Sequence, residues 1–154
     1  MSSLLAIETS AHVGAVLLMP DHSRPHHVFG EVIRGEAKLS AWVLPAIQRV
    51  QIAAKFALHD VDAIAFGAGP GSFTGVRTAC ATAQALAYAW GKPLIAVDSL
   101  EALAEACNAS RIGIALDARM NEIFSASFER HADGELVRLS ATSVGKADSF
   151  RPLD

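Results

Sequence analysis

Residues 67–77 read GAGPGSFTGVR, four glycines and one proline in eleven positions between an apolar run and a long helix-like stretch. Such a loop can cradle a phosphate, present a nucleophile, or only turn the chain. A Walker-type phosphate loop requires a glycine, four residues, then Gly-Lys-Ser/Thr; here Pro70 stands five before Gly75 and no lysine follows. The dinucleotide pattern G-x-G-x-x-G fails as well, because Ser72 occupies the place of the third glycine after Gly67 and Gly69. A nucleophile elbow around Ser72 would need glycines where Pro70 and Thr74 stand. What remains is a strand-to-helix turn. Gly67, Gly69 and Gly71 permit dihedrals closed to other residues, Pro70 fixes one angle, and Ser72 or Thr74 can cap the helix. The free N–H groups at such a helix start suit an anion, with Arg77 adding charge, or they bond water and side chains alone.

Other residues with chemical potential are sparse. Asp21, His22, His26 and His27 are metal-ligating types, but they sit in what reads as an exposed hairpin connection. Cys80 and Cys107 lie in alanine-rich helical stretches without CxxC spacing, which predicts two reduced, buried thiols in a cytoplasmic protein. Thirteen basic against sixteen acidic residues give a net charge of −3, which disfavours autonomous nucleic-acid binding. At 154 residues, 51% hydrophobic and 19% charged, the chain suits one compact domain or one domain and part of a second. Glu8 follows only four apolar residues and no basic segment precedes them, which argues against a signal peptide; no run of eighteen apolar residues predicts a membrane span.

The elements that must position these residues follow from periodicity. Short apolar or β-branched segments at Leu4–Ile7, Val13–Met19 and His26–Ile33 predict an antiparallel meander. From Leu39 an apolar stripe runs through Val43, Ile47, Val50, Ala54 and Leu58 at helical spacing, with Pro45 in an early turn or at a kink. Ala63–Phe66 is a short buried strand leading into the glycine loop. Val76–Trp90 is then a helix stopped by Gly91 and Pro93. Leu94–Val97 is a strand, and Asp98 with Glu101 matches a capping box opening a third helix through about Cys107. Arg111–Leu116, Glu122–Phe128 and Leu136–Leu139 are further strands, with Asp133-Gly134 as a hairpin turn. The order βββαβαβα, then a restarted βββ, predicts an α/β fold with a mixed sheet in residues 1–109 and the beginning of a second lobe in 110–154.

The helix after the loop carries a single charge, Arg77, and alanine at every odd position from Ala79 to Ala89. A helix apolar nearly all round is buried on more than one face. Either the preceding amphipathic helix covers its second face, or the two helices together form a surface for another protein; the missing charged outer face favours the second. The expected interface residues are Leu39, Val43, Ile47 and Val50 with Ala79, Ala83 and Ala87.

LLAIETS, FGAGPGSFTGVR with its Ala-rich helix, KPLIAVDSLEALA and ALDARMNEIFSASF closely resemble the TsaB (YeaZ) family, in order from about Leu4 to Phe128. That family is similar to the actin-like ATPase and sugar-kinase superfamily, with its ribonuclease H-like lobes. The resemblance implies a partner subunit of the catalytic protein TsaD and the ATPase TsaE, which together transfer threonylcarbamoyl from threonylcarbamoyl-AMP to N6 of adenosine 37 in tRNA. It implies a homodimer when alone, tRNA contact only through the complex, no membrane association, no certain cofactor, and ATP or ADP at a complex interface as the candidate ligand. Glu8, Thr9 and Ser10 match a turn where superfamily enzymes keep an acidic residue near metal or phosphate; with Gly67, Gly69, Gly71, Ser72, Thr74, Gly75 and Arg77 they form the candidate nucleotide loop. Asp117 and Arg119 stand at the equivalent turn of the second lobe, as candidates for an interlobe cleft or as a turn cap and salt bridge. Where TsaD has two metal-binding histidines on the third helix, this chain has Ser99 and Leu103, so no metal site and no catalysis of its own are expected. Many relatives also place a histidine where Leu39 stands in EAKLSA. The chain stops at Asp154, before a complete second lobe of the family pattern, as a truncated chain or one with a short second lobe would. The competing expectation is a nucleotide-binding phosphotransferase or hydrolase of the same superfamily.

Overall fold

The computed structural model describes residues 2–21, 23–24, 27–34 and 39–150. Strands β1 (Leu4–Glu8), β2 (Val13–Met19) and β3 (Phe29–Arg34) precede helix α1 (Leu39–Ala54); β4 (Ala63–Gly67), α2 (Phe73–Trp90), β5 (Leu94–Val97) and α3 (Ser99–Glu105) follow. Strands β6 (Arg111–Arg119), β7 (Glu122–Arg130), β8 (Leu136–Arg138) and β9 (Ser143–Lys146) close the described chain. Contacts divide it into two units, Met1–Ala68 with Ser72–Val97, and Gly69–Gly71 with Asp98–Asp154. No helix among the described residues is long and apolar enough to cross a membrane.

The first unit is a mixed sheet in the order β3-β2-β1-β4-β5, antiparallel through the meander and parallel from β1 through β4 to β5. Parallel neighbours need crossovers, and α1 and α2 supply them. Alternation in LLAIE turns Leu5 and Ile7 to the helix side. There they join Val16, Leu18, Val43, Ala46, Ile47, Val50, Ala79, Ala83 and Ala87 in one buried core. The helix α1 ends earlier than its stripe suggests: Lys55 takes a left-handed φ of 50°, and Leu58 is buried from a separate 3-10 turn at Leu58–Asp60. Pro45 lies within the helix on its exposed side. At the start of the sheet, Asp62 Oδ2 accepts from Ser3 N at 2.7 Å and Ser3 Oγ at 3.1 Å, and these bonds hold the Asp62 carboxyl below its ordinary range.

In the second unit the sheet order is β6-β7-β8, with β9 also paired to β7. Helix α3 lays Leu100 and Ala104 against Ile112, Ile114, Ala126 and Phe128. The boundary expected between residues 109 and 110 separates α3 from this core, whereas its contacts group it with β6–β8 because its apolar side packs there. Asp98 caps the helix, accepting from Leu100 N at 2.8 Å and Glu101 N at 3.0 Å. The Glu101 carboxylate turns to Arg138, which bonds Asp98 at 2.8 Å. Strand β9 has no counterpart in the sequence reading. The hairpin signal at Asp133-Gly134 holds: Gly134 has φ 92° and donates to His131 O at 2.9 Å.

One polar lock ties α1 to the sheet. Arg49 donates to both carboxylate oxygens of Glu31 at 2.6 Å, and Trp42 Nε1 donates to Oε1 at 2.7 Å. The Arg49 hydrogen bonds lower the Glu31 carboxyl below its ordinary value near 4.5, against a burial that would raise it. A depressed carboxyl stabilises the fold above its unfolded pKa and loses that contribution as pH falls through the folded one. The variant Glu31→Gln is therefore expected to unfold at lower denaturant than the wild type at pH 7. The two midpoints should converge on titration from pH 4.5 downward, and a gap independent of pH would contradict the lock.

Candidate functional site

At the end of β1 the chain turns through Glu8, Thr9 and Ser10 and passes against the first turn of α2. The buried Thr9 hydroxyl donates to Gly75 O at 2.6 Å, and Ser72 N donates to Ser10 O at 2.6 Å. Ser10 N donates in turn to the Glu8 carboxylate. A Cβ on Gly75 would fall on the Thr9 carbonyl oxygen and 2.8 Å from its carbon, so glycine is dictated by this crossing. A Cβ on Gly67 would strike the Glu8 carboxylate. Ser72 is the N-cap of α2, its Oγ accepting from Gly75 N at 3.4 Å, so the helix begins at Phe73 rather than Val76.

The candidate loop is thus only partly assembled. Glu8, Thr9, Ser10, Gly67, Ser72 and Gly75 meet in the first unit, where the Thr9 hydroxyl and the Ser72 side chain serve bonds within the chain. Gly69 and Gly71 belong to the second unit, where Gly69 O accepts from Ser99 N at 2.8 Å. Thr74 and Arg77 point along the outer side of α2.

The expected interface requires correction. Val43, Ile47, Val50, Ala79, Ala83 and Ala87 are all buried in the core of their own unit, and Leu39 is half-buried. Alanines two apart on a helix lie about 200° apart, so the Ala79–Ala83–Ala87 row enters the core while Ala81, Ala85 and Ala89 are exposed. The outward sides of the two helices instead present Leu44 (57% exposed), Ile52 (67%), Phe73 (69%) and Tyr88 (93%). Arg77 sits over the Phe73 ring at 3.8 Å. Gly91 ends α2 with φ 63°, as its position predicts.

Against known proteins, residues 34–144 match the family model described as TsaD, tRNA N6-adenosine threonylcarbamoyltransferase. The chain is 36% identical over 126 residues to the Haemophilus influenzae tRNA threonylcarbamoyladenosine biosynthesis protein TsaB, covering 79% of this chain and 52% of that protein. It is 35% identical to the Escherichia coli TsaB, covering 85% of this chain and 57% of that one. A solved structure of YeaZ from Pseudomonas aeruginosa superposes with a TM-score of 0.89 at 34% identity, over 100% of this chain and 72% of that chain. The chain belongs to the TsaB (YeaZ) family. It spans about half the length of the curated TsaB proteins it matches. The α/β architecture with its βββαβαβα order is that of the YeaZ fold, as the sequence implies.

Within this TsaB-family chain, Ser99 is buried and Leu103 is 42% exposed on α3, and a hydroxyl with an alkyl side chain supplies no ligand pair. Asp117 and Arg119 stay together at the β6–β7 turn: Asp117 Oδ1 accepts from Arg119 N at 2.8 Å and the two side chains approach at 3.6 Å. Arg119, Met120 and Asn121 all have left-handed φ (69°, 54°, 61°), a turn no glycine announces. In the early loop Asp21 accepts from Ser23 N and Oγ and pairs with Arg24, which lowers its carboxyl; His27 meets the Phe29 ring edge. His22 and His26 lie outside the described residues. A different trio, His131, Asp133 and Glu135, brings its ligand atoms within 4.8 Å at the exposed β7–β8 turn, and its alternate spacing across the Asp-Gly turn is the only sequence signal for it. Cys80 and Cys107 are unpaired and half-buried, where fully buried thiols are expected.

The crossing separates two glycine variants. Alanine at Gly75 gains helix propensity of about 1 kcal/mol but meets backbone, an overpacking cost of about 1–3 kcal/mol or more. Alanine at Gly67 meets the end of a side chain that can swing away. Urea denaturation should therefore find Gly75→Ala clearly destabilised and Gly67→Ala less so; a stabilised Gly75→Ala would remove the crossing as a constraint.

Proposed function

We propose that this chain acts in tRNA threonylcarbamoyladenosine biosynthesis, in the cytoplasm, as a non-catalytic partner subunit. It docks on a TsaD-type threonylcarbamoyltransferase through the outward sides of α1 and α2 and helps to recruit a TsaE-type ATPase. The observation that carries this reading is the row of exposed large apolar groups on those two helices, Leu44, Ile52, Phe73 and Tyr88, with small alanines between them. Tyr88 on a flat, alanine-lined helix face is the type of residue that anchors a protein interface. Family membership supplies the pathway, since the matched relatives are named for it.

The loop chemistry supports partnership over independent catalysis. A phosphate-binding loop offers its hydroxyls and N–H groups outward, whereas Thr9, Ser72 and the Gly75 N–H are engaged inside the fold. Any ATP or ADP accordingly binds with groups contributed by the partner, and tRNA is reached through the complex. Alone, the chain covers its apolar helix face by self-association.

Reconstitution tests this directly. Modified tRNA should form from purified TsaD- and TsaE-type proteins, threonylcarbamoyl-AMP and tRNA only when this chain is added, and the chain alone should not turn over ATP. Tyr88→Glu combined with Ile52→Glu, both at exposed positions, should raise the Kd for the TsaD-type subunit by about a hundredfold or more while leaving the circular dichroism spectrum and melting midpoint near wild type. Modification that proceeds equally without the chain, or unchanged affinity of the double variant, would contradict the proposal.

A further inference from the structure

Between α1 and α2 runs a groove of about 440 Å³ lined by Ser40 of α1 and by Phe73, Thr74, Arg77, Thr78 and Thr82 of α2. Among its described lining residues the one charge is Arg77, whose guanidinium carbon lies 3.8 Å from the centre of the Phe73 ring. A guanidinium held over an aromatic face keeps its in-plane N–H fork for a planar acceptor. The Thr78 hydroxyl donates to Thr74 O at 2.8 Å. The guanidinium and the hydroxyls of Ser40, Thr74 and Thr82 are then the groove's donors. Among the described residues no carboxylate pairs with Arg77, and neither α1 nor α2 contains an aspartate or a glutamate. The other arginine of the two helices, Arg49, is already bonded to Glu31.

We infer that this groove receives an aspartate or glutamate side chain of the partner polypeptide, held by the Arg77 fork and the flanking hydroxyls. The inference rests on the partner-docking reading given above and adds the chemistry of the contact. Charge complementarity selects the occupant. A second copy docked through the same two helices would bring no carboxylate from them. A nucleic acid would meet one cation among Phe73, Tyr88 and alanines, on a chain of net charge −3. A protein helix with one acidic side chain among apolar ones matches both the cation and its surroundings.

The test is the affinity of this chain for the TsaD-type subunit of the same genome, by calorimetry at 50 and 300 mM NaCl. Arg77→Gln should weaken binding about tenfold at low salt and less at high salt, and Arg77→Glu about a hundredfold, because a rim-to-core charge pair is screened by added ions. Arg77→Lys should recover part of the loss but not all, since the fork is gone. Tyr88→Glu serves as the reference, losing affinity at both salt concentrations. If the wild type does not bind, or Tyr88→Glu binds normally, the docking reading itself fails. If Tyr88→Glu abolishes binding while Arg77→Gln and Arg77→Glu match the wild type at both salts, only the carboxylate contact is overturned. A wild-type homodimer that Arg77→Gln dissociates would assign the groove to a second copy, and a tRNA complex lost with Arg77→Gln would assign it to phosphate; either overturns the inference.

Discussion

The rest of the first unit depends on a backbone crossing too tight for a side chain. The Thr9 carbonyl occupies the space a Cβ on Gly75 would take, and Thr9 Oγ1 and Ser10 O bond the opening turn of α2 on either side of that contact. A helix fixed at its start in this way has no freedom to rotate about its axis. The row Ala79, Ala83 and Ala87 is thereby committed to the sheet, and Phe73, Arg77, Ala81 and Tyr88 to the opposite side. With α1 held by Glu31, Arg49 and Trp42, the two outward faces keep a set relation within their unit. The glycine loop thus acts here mainly on orientation: it decides which residues of α2 face outward.

Much of this organisation is legible in the residues. Apolar spacing locates every strand of the first sheet and both long helices, Gly91 marks where α2 stops, and Asp98 marks where α3 starts. The loop's failure to match any phosphate or nucleophile pattern agrees with hydroxyls turned to internal bonds. Family membership is equally readable, because GPGSFTGVR combines glycines, a proline and an arginine, and DARMNEIF three charges and an asparagine, in orders that composition alone would not produce.

What escaped has a common cause: the pattern was degenerate and a tertiary contact resolved it. Alanine at every second position from Ala79 to Ala89 places one small-residue row on each side of a helix, so periodicity could not distinguish core from surface. The Gly75 crossing does so. The β6–β7 turn uses three left-handed residues, Arg119, Met120 and Asn121, with an Asp117 side chain in place of glycine. Strand β9, SVGK, is too short and too polar to announce itself and exists by pairing with β7. Helix α3 follows the first unit's strands closely in sequence, which is all the residue pattern offers to group it, yet Leu100 and Ala104 bury against the later strands.

The central claim is that the outward side of α1 and α2 is covered when this TsaB-family chain works. Hydroxyl-radical footprinting of the chain, free and mixed with a TsaD-type protein, reads that surface residue by residue. The account predicts strong protection of Tyr88 and Phe73 on mixing, both being well exposed in the free chain. Equal oxidation of both residues in a mixture shown by sedimentation to be complexed would contradict it.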